Sequence, residues 1–137
     1  NPIVRDSAHE FMGNNDRISL IEPLDYEPFA NLMSKVYMIM TDSGGIQEEG
    51  PALGKPVMVL RTETERPEAV EAGTVKVVGV DPDKIYRVGM RLVQDASYYE
   101  SIANAVNPYG DGKASSRIAD HILFKFGISN KEVDEFK

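Results

Sequence analysis

Ser43, Gly44, Gly45, Glu48, Glu49 and Arg66 are the residues of this chain whose types and spacing suit chemistry on a phosphorylated ligand. The first five lie in the stretch TDSGGIQEEGPALGKP, residues 41–56, directly after an apolar run. Paired glycines after a strand let the backbone turn with positive φ and let a ligand approach without meeting a Cβ. The first amides of the following helix have no internal partner and carry the positive end of its dipole, which suits a diphosphate. Ser43 can cap that helix or donate its hydroxyl to a phosphate oxygen. Glu49, six residues further on and roughly 9 Å along a helix, suits a ribose diol, whose two donors match two carboxylate oxygens. The same Asp-Ser-Gly-Gly run followed by acidic residues is also ordinary turn and N-cap chemistry. The residues alone leave both readings open.

The next loop, LRTETERPEA, carries Arg61 and Arg66 among Glu63, Glu65 and Glu68. An arginine there can clamp phosphate oxygens in a bidentate way. Arg61 reads instead as part of a solvated, self-paired charge cluster. Phe29 has the spacing of a core residue, with stacking on a base as the other reading. His9 and His121 read as ordinary helix residues, and Asp42 as a brace for the turn.

These residues need elements to position them. RISLI (17–21), VYMIMT (36–41), PVMVL (56–60) and TVKVVGV (74–80) read as strands, apolar enough on both faces for a parallel sheet covered on each side. Between them, Phe29, Leu32, Met33 and Val36 mark a helix over 26–35, and a short helix over 45–53 follows the glycines. Pro67 and Gly73 bracket another helix. Ile85, Val88, Leu92 and Val93 form one stripe over 82–95, and Ala114, Ile118, Ile122 and Phe126 another. Strands alternating with helices predict an α/β domain with right-handed crossovers. Four strands are few for a complete doubly wound sheet, and the chain begins Asn-Pro-Ile without an initiating Met. Both features suggest a piece of something longer that lacks its first strand. The charged tail KEVDEFK reads as frayed or solvated.

The 137 residues suffice for one compact domain, and 42% apolar with 27% charged is ordinary globular composition. The 15 basic against 22 acidic side chains give a net charge of −7, which argues against a nucleic-acid or anionic-membrane surface. Any anion must therefore be held locally. There is no cysteine, so no disulfide or thiolate chemistry, and two distant histidines make no multi-His metal site. No apolar run reaches membrane-spanning length and no signal peptide is visible, so the expectation is a soluble cytoplasmic protein.

The run TDSGGIQEEGPALGKPVMVLRTETERPEAVEAGTVKVVGVD resembles the C-terminal domain of the non-hydrolysing UDP-N-acetylglucosamine 2-epimerases. NPYGDGKASSRIADHI and NPIVRDSAHE resemble two further segments of the same family, in the same order. The resemblance implies a Rossmann-like parallel sheet with helices on both faces, the second half of a GT-B-type two-domain enzyme. Residues 1–137 would then be the C-terminal UDP-binding domain, without the N-terminal domain and without this domain's first strand. It implies UDP contacts from Ser43, Gly44, Gly45, Glu49 and Arg66, with Phe29 near the uracil. Leu24 departs from the glutamine that some members carry beside the uracil, so any contact there would come from its backbone.

The implied reaction interconverts UDP-GlcNAc and UDP-ManNAc. UDP leaves C1 as the C2 proton is removed, and it readds to the 2-acetamidoglucal on the other face. No cofactor and no metal are implied. The family's proton-handling carboxylates belong to the other domain, so no catalytic residue is expected in this chain, and the chain alone should be silent. The implied partners are UDP-GlcNAc or UDP, the missing N-terminal domain, and a second copy in a full-length homodimer. A GT-B glycosyltransferase and a non-catalytic nucleotide-sugar sensor are the rival readings.

Overall fold

The computed structural model describes residues 2–133. They fall into two compact units, Asn1–Leu32 and Met33–Lys137.

The first unit opens with helix α1 (Pro2–Met12). The predicted strand 17–21 does not form. Asn15 takes the first two amides of that segment, its Oδ1 accepting from Arg17 at 3.0 Å and its carbonyl from Ile18 at 2.9 Å. A strand is stable only as part of a ladder, and among the described residues this segment pairs with none. Just past it, Glu22 Oε1 meets Arg5 Nη2 at 2.8 Å in an exposed ion pair. Helix α2 (Tyr26–Lys35) follows as predicted, and the boundary between the units falls inside it.

The second unit holds a three-stranded sheet of β1 (Ile39–Thr41), β2 (Val57–Val59) and β3 (Val75–Val77). All pairs are parallel, with Met40 opposite Met58 and Met58 opposite Lys76. Between the strands run α3 (Ile46–Ala52) and α4 (Pro67–Glu71), and after β3 come α5 (Pro82–Gln94), α6 (Ala96–Ala103) and α7 (Ala114–Lys125).

Alternate residues of the central strand feed two cores, as a period of two requires. Val57 and Val59 pack with Ala69 and Val75, against Ile39, Val77 and Tyr109. Met58 points the other way, into Val78, Leu92 and Ile102 with Ile85, Val88, Tyr98 and Tyr99. Helices α3 and α4 thus cover one face, and α5 and α6 the other, which is the predicted α/β layering.

Gly50 lets α3 sit close. A Cβ there would lie 2.5 Å from Val57 Cγ2 and 3.2 Å from Ile39 Cδ1. Gly73, at φ +82°, ends the α4 turn in the left-handed region that side chains avoid.

Three helical expectations change. Helix α6 was not predicted. Asp95 caps it, its Oδ1 accepting from the Tyr98 amide at 3.0 Å. On α5, Ile85, Val88 and Leu92 face the core, but Val93 is exposed because it lies a step round the helix from Leu92. On α7, Ile118 and Ile122 are exposed, and so is Phe126 just past its end.

Candidate functional site

Parallel pairing brings the chain after β1 and the chain after β2 to one edge of the sheet. The first is the glycine turn, and the second the arginine loop. Leu60 N donates to Thr41 O at 2.8 Å and so carries the ladder to the last residue of β1.

The turn differs from expectation in three respects. Neither Gly44 nor Gly45 has positive φ; Gly45 is helical at φ −63° and ψ −40°. At Gly44 a Cβ would meet only the tip of the exposed Glu65 side chain, which can swing aside. At Gly45 a Cβ would meet nothing within 4 Å, so this point of the backbone is open. Second, Ser43 does not cap α3. Gly45 is the N-cap and no side chain bonds to it. Third, Asp42 makes no hydrogen bond among the described residues. The Thr41 hydroxyl braces the turn instead, accepting from the Ser43 amide at 3.0 Å. The plain capping reading of Ser43 therefore has no bond behind it, and the amides of Gly44 and Gly45 donate to nothing among the described residues.

The two glutamates of the first turn diverge. Glu48 Oε1 accepts from Arg66 Nε at 2.5 Å, with both side chains about one-third exposed. Glu49 is half-buried, and its carboxylate has no partner among the described residues. Arg66 comes from the N-cap position of α4, set by Pro67 in the first helical turn. Its guanidinium is held protonated above its ordinary range, first by the hydrogen bond to Glu48 and then by that carboxylate's charge.

Arg61 pairs with Glu65 at 2.5 Å, as a self-paired cluster would. The Glu65 carboxyl lies below its ordinary range, chiefly through its own backbone amide, with the charges of Arg61 and Arg66 adding. Beside this loop lies a depression of about 630 Å³, lined by Leu60, residues 61–65 and Val80.

Three residues that carry the site were not singled out from sequence. Gln47 is fully buried, and its Oε1 accepts from the Thr64 hydroxyl at 2.5 Å. Thr64 in turn accepts from the Arg66 amide at 3.1 Å. Tyr109, from the NPYG segment, lays its ring on the Val57–Val75 core. Its hydroxyl is buried and unpartnered among the described residues. Burial, then the charges of Glu68 and Glu48, push this phenol up from its ordinary value. The signal for Gln47 was its spacing: it lies three residues before Gly50, on the helix face that meets the sheet.

Of the predicted site residues, the structure gathers Ser43, Gly44, Gly45, Glu49 and Arg66 at this edge. Phe29 lies on α2 in the first unit, partly buried. His9 and His121 are exposed on α1 and α7. Among the described residues no three metal-ligating side chains cluster, and no helix is long and apolar enough to cross a membrane.

A family model described as UDP-N-acetylglucosamine 2-epimerase matches residues 1–123. The UDP-N-acetylglucosamine 2-epimerase of Bacillus subtilis is 51% identical over 136 residues, which are 99% of this chain and 36% of that protein. A crystal structure of UDP-N-acetylglucosamine 2-epimerase superposes with a TM-score of 0.94 at 50% identity, over 100% of this chain and 37% of that one. The Neisseria meningitidis UDP-GlcNAc 2-epimerase bound to UDP-GlcNAc gives 0.84 at 51% identity, over 90% and 34%. The chain thus spans little more than a third of the length of these relatives.

Proposed function

Because the chain belongs to the UDP-N-acetylglucosamine 2-epimerase family, we propose that residues 1–137 are the C-terminal UDP-holding half of such an enzyme, of GT-B architecture. The whole protein is a cytoplasmic homodimer that interconverts UDP-GlcNAc and UDP-ManNAc for polysaccharide synthesis. It needs no cofactor or metal for this. The proton at C2 is handled by the other half, so this chain alone turns nothing over.

The part of this chain is to bind the leaving group. The amides at Gly44 and Gly45, the Ser43 hydroxyl and the Arg66 guanidinium take the diphosphate, where negative charge grows as the C1–O bond breaks. Preorganised donors aimed at developing charge lower the barrier without reorganising during the step. Glu49 takes the ribose diol. Phe29 at the uracil rests on the family resemblance.

The observation that carries this reading is the unequal use of the glutamate pair. Glu48 draws Arg66 to the first turn of α3, while Glu49 keeps a free carboxylate beside an uncapped, side-chain-free turn. The test has two arms. Calorimetry of UDP against the full-length protein should give binding, and NMR of UDP-GlcNAc should give UDP-ManNAc without any acceptor. A glycosyltransferase would leave C2 unchanged, and a sensor would bind without turnover. Turnover by residues 1–137 alone would contradict the division of labour.

A further inference from the structure

Two polar side chains join the glycine turn to the arginine loop through the interior of the second unit. Gln47 is fully shielded from solvent, and a buried amide is costly unless both of its ends are satisfied. Its Nε2 donates to the Ser43 carbonyl at 3.3 Å, and its Oε1 accepts from the Thr64 hydroxyl at 2.5 Å. The Thr64 oxygen then accepts the Arg66 amide at 3.1 Å.

The direction of each bond is fixed by chemistry. A carbonyl only accepts, so the amide nitrogen of Gln47 must face Ser43, and its oxygen must face Thr64. A hydroxyl has one proton to give. Thr64 gives it to Gln47 and keeps its lone pairs for Arg66. Donation therefore runs in one sense, from the arginine to the turn.

Few side chains of the two loops are themselves packed away. Ser43, Gly45, Thr62, Glu63 and Glu65 are exposed, and Thr64 and Arg66 are half-buried. Arg66 is held at two points, its amide on Thr64 and its Nε on Glu48.

We propose that Gln47 and Thr64 are positioning residues that fix the distance between the Gly44–Gly45 turn and the Arg66 guanidinium, so that one diphosphate spans both. The proposal rests on reading that edge as the diphosphate seat. Neither residue touches the ligand; each acts through the group it holds.

The test uses the full-length protein with UDP and uridine as probes, by calorimetry, and with melting temperature as the control for folding. Thr64→Val keeps the shape and removes the hydroxyl. It should weaken UDP about ten-fold, as two lost hydrogen bonds would, and leave uridine unchanged. Thr64→Ser keeps the hydroxyl and should bind UDP like wild type. Gln47→Met, a near-isostere without hydrogen bonds, should repeat the Thr64→Val result. The double variant Thr64→Val with Arg66→Ala should be no weaker than Arg66→Ala alone, because residues acting through one group are not additive.

A folded Thr64→Val that binds UDP like wild type would overturn the proposal, and so would equal losses for UDP and uridine or additive losses in the double variant. If Thr64→Val does not fold, Gln47→Met decides on the same terms. If both fail to fold, the pair holds the fold rather than the ligand spacing, and the proposal falls. Wild type that binds no UDP removes the seat itself, which separates failure of the site from failure of the positioning.

Discussion

At the corner between β1, β2, α3 and α4, Gln47, Gly50, Pro51 and Ala69 are shut away from solvent, whereas no residue of α7 is buried. Both regions read as helices from periodicity or punctuation. The corner has two apolar cores behind it, one on each face of the sheet, and it can hold a satisfied buried amide and a charged pair in fixed geometry. Helix α7 has a side-chain fork before its first turn: Arg117 Nη1 and Nη2 donate to Asp111 Oδ1 and Oδ2 at 2.7 and 2.8 Å. A helix of twelve residues is marginal in water without packing. Burial at the corner makes geometry available for binding. Along α7 the Asp111–Arg117 fork stands without a fully buried face beside it.

That contrast can be broken from the corner first. Arg66→Ala should weaken UDP about ten- to a hundred-fold by calorimetry, while Ile118→Ser on α7 should leave UDP affinity unchanged. Equal losses from both would erase the distinction. Glu49→Gln sharpens it, by costing UDP more than pyrophosphate; matched losses would remove the ribose assignment.

Packing should tell next. Gly50→Ala would drive a methyl into Val57, which is itself fully buried. Overpacking of that kind should cost about 1–3 kcal/mol in urea unfolding. A stability equal to wild type would mean that α3 can lift off the sheet, and that the corner is looser than its contacts suggest.

The Asp111 fork gives a pH signature. Arg117 first, and then the Lys113 amide, hold the Asp111 carboxyl well below the usual carboxylate range. A depressed folded pKa contributes stability that is complete above the unfolded value of about 4 and is lost as pH falls through the folded one. Asp111→Asn should therefore melt lower than wild type at pH 7, and the gap should begin to close below about pH 4. A gap that widens in acid would rule the fork out as the source. The smallest effect belongs to the exposed stripe: Ile118→Ser should change unfolding free energy by no more than about 0.5 kcal/mol.

The legible parts of the fold were those where one signal decided the outcome. Strands such as PVMVL are apolar on both faces because both faces are covered, and Pro67 and Gly73 mark the ends of α4 by backbone chemistry alone. RISLI has the same composition as a strand, but composition does not supply a partner, and Asn15 claimed its first amides. Helix α6 was missed although Asp95 is a cap residue, because Asp95 also ends α5 and a single residue was serving two helices.

The candidate site was read through its charged and side-chain-free residues. Gln47 and Thr64 escaped, and so did the pairing of Glu48 with Arg66, because a hydrogen bond between residues 17 or 18 apart leaves no periodic trace in the sequence. The glycine pair was read for a left-handed backbone that neither residue adopts; what the pair provides is open space beside the turn, where a Cβ at Gly45 would meet nothing.

Tyr37 and Tyr99 stack with ring centroids 4.2 Å apart, and each hydroxyl is tied to a main-chain carbonyl, Leu92 and Tyr37 respectively, at 2.9 Å. The chain has no tryptophan, so its near-ultraviolet circular dichroism comes from phenol and phenyl rings, and a rigid stacked pair should dominate that band. The entrance to β1 thus carries its own optical gauge: its amplitude follows the seam between the sheet and the α5–α6 layer without any label.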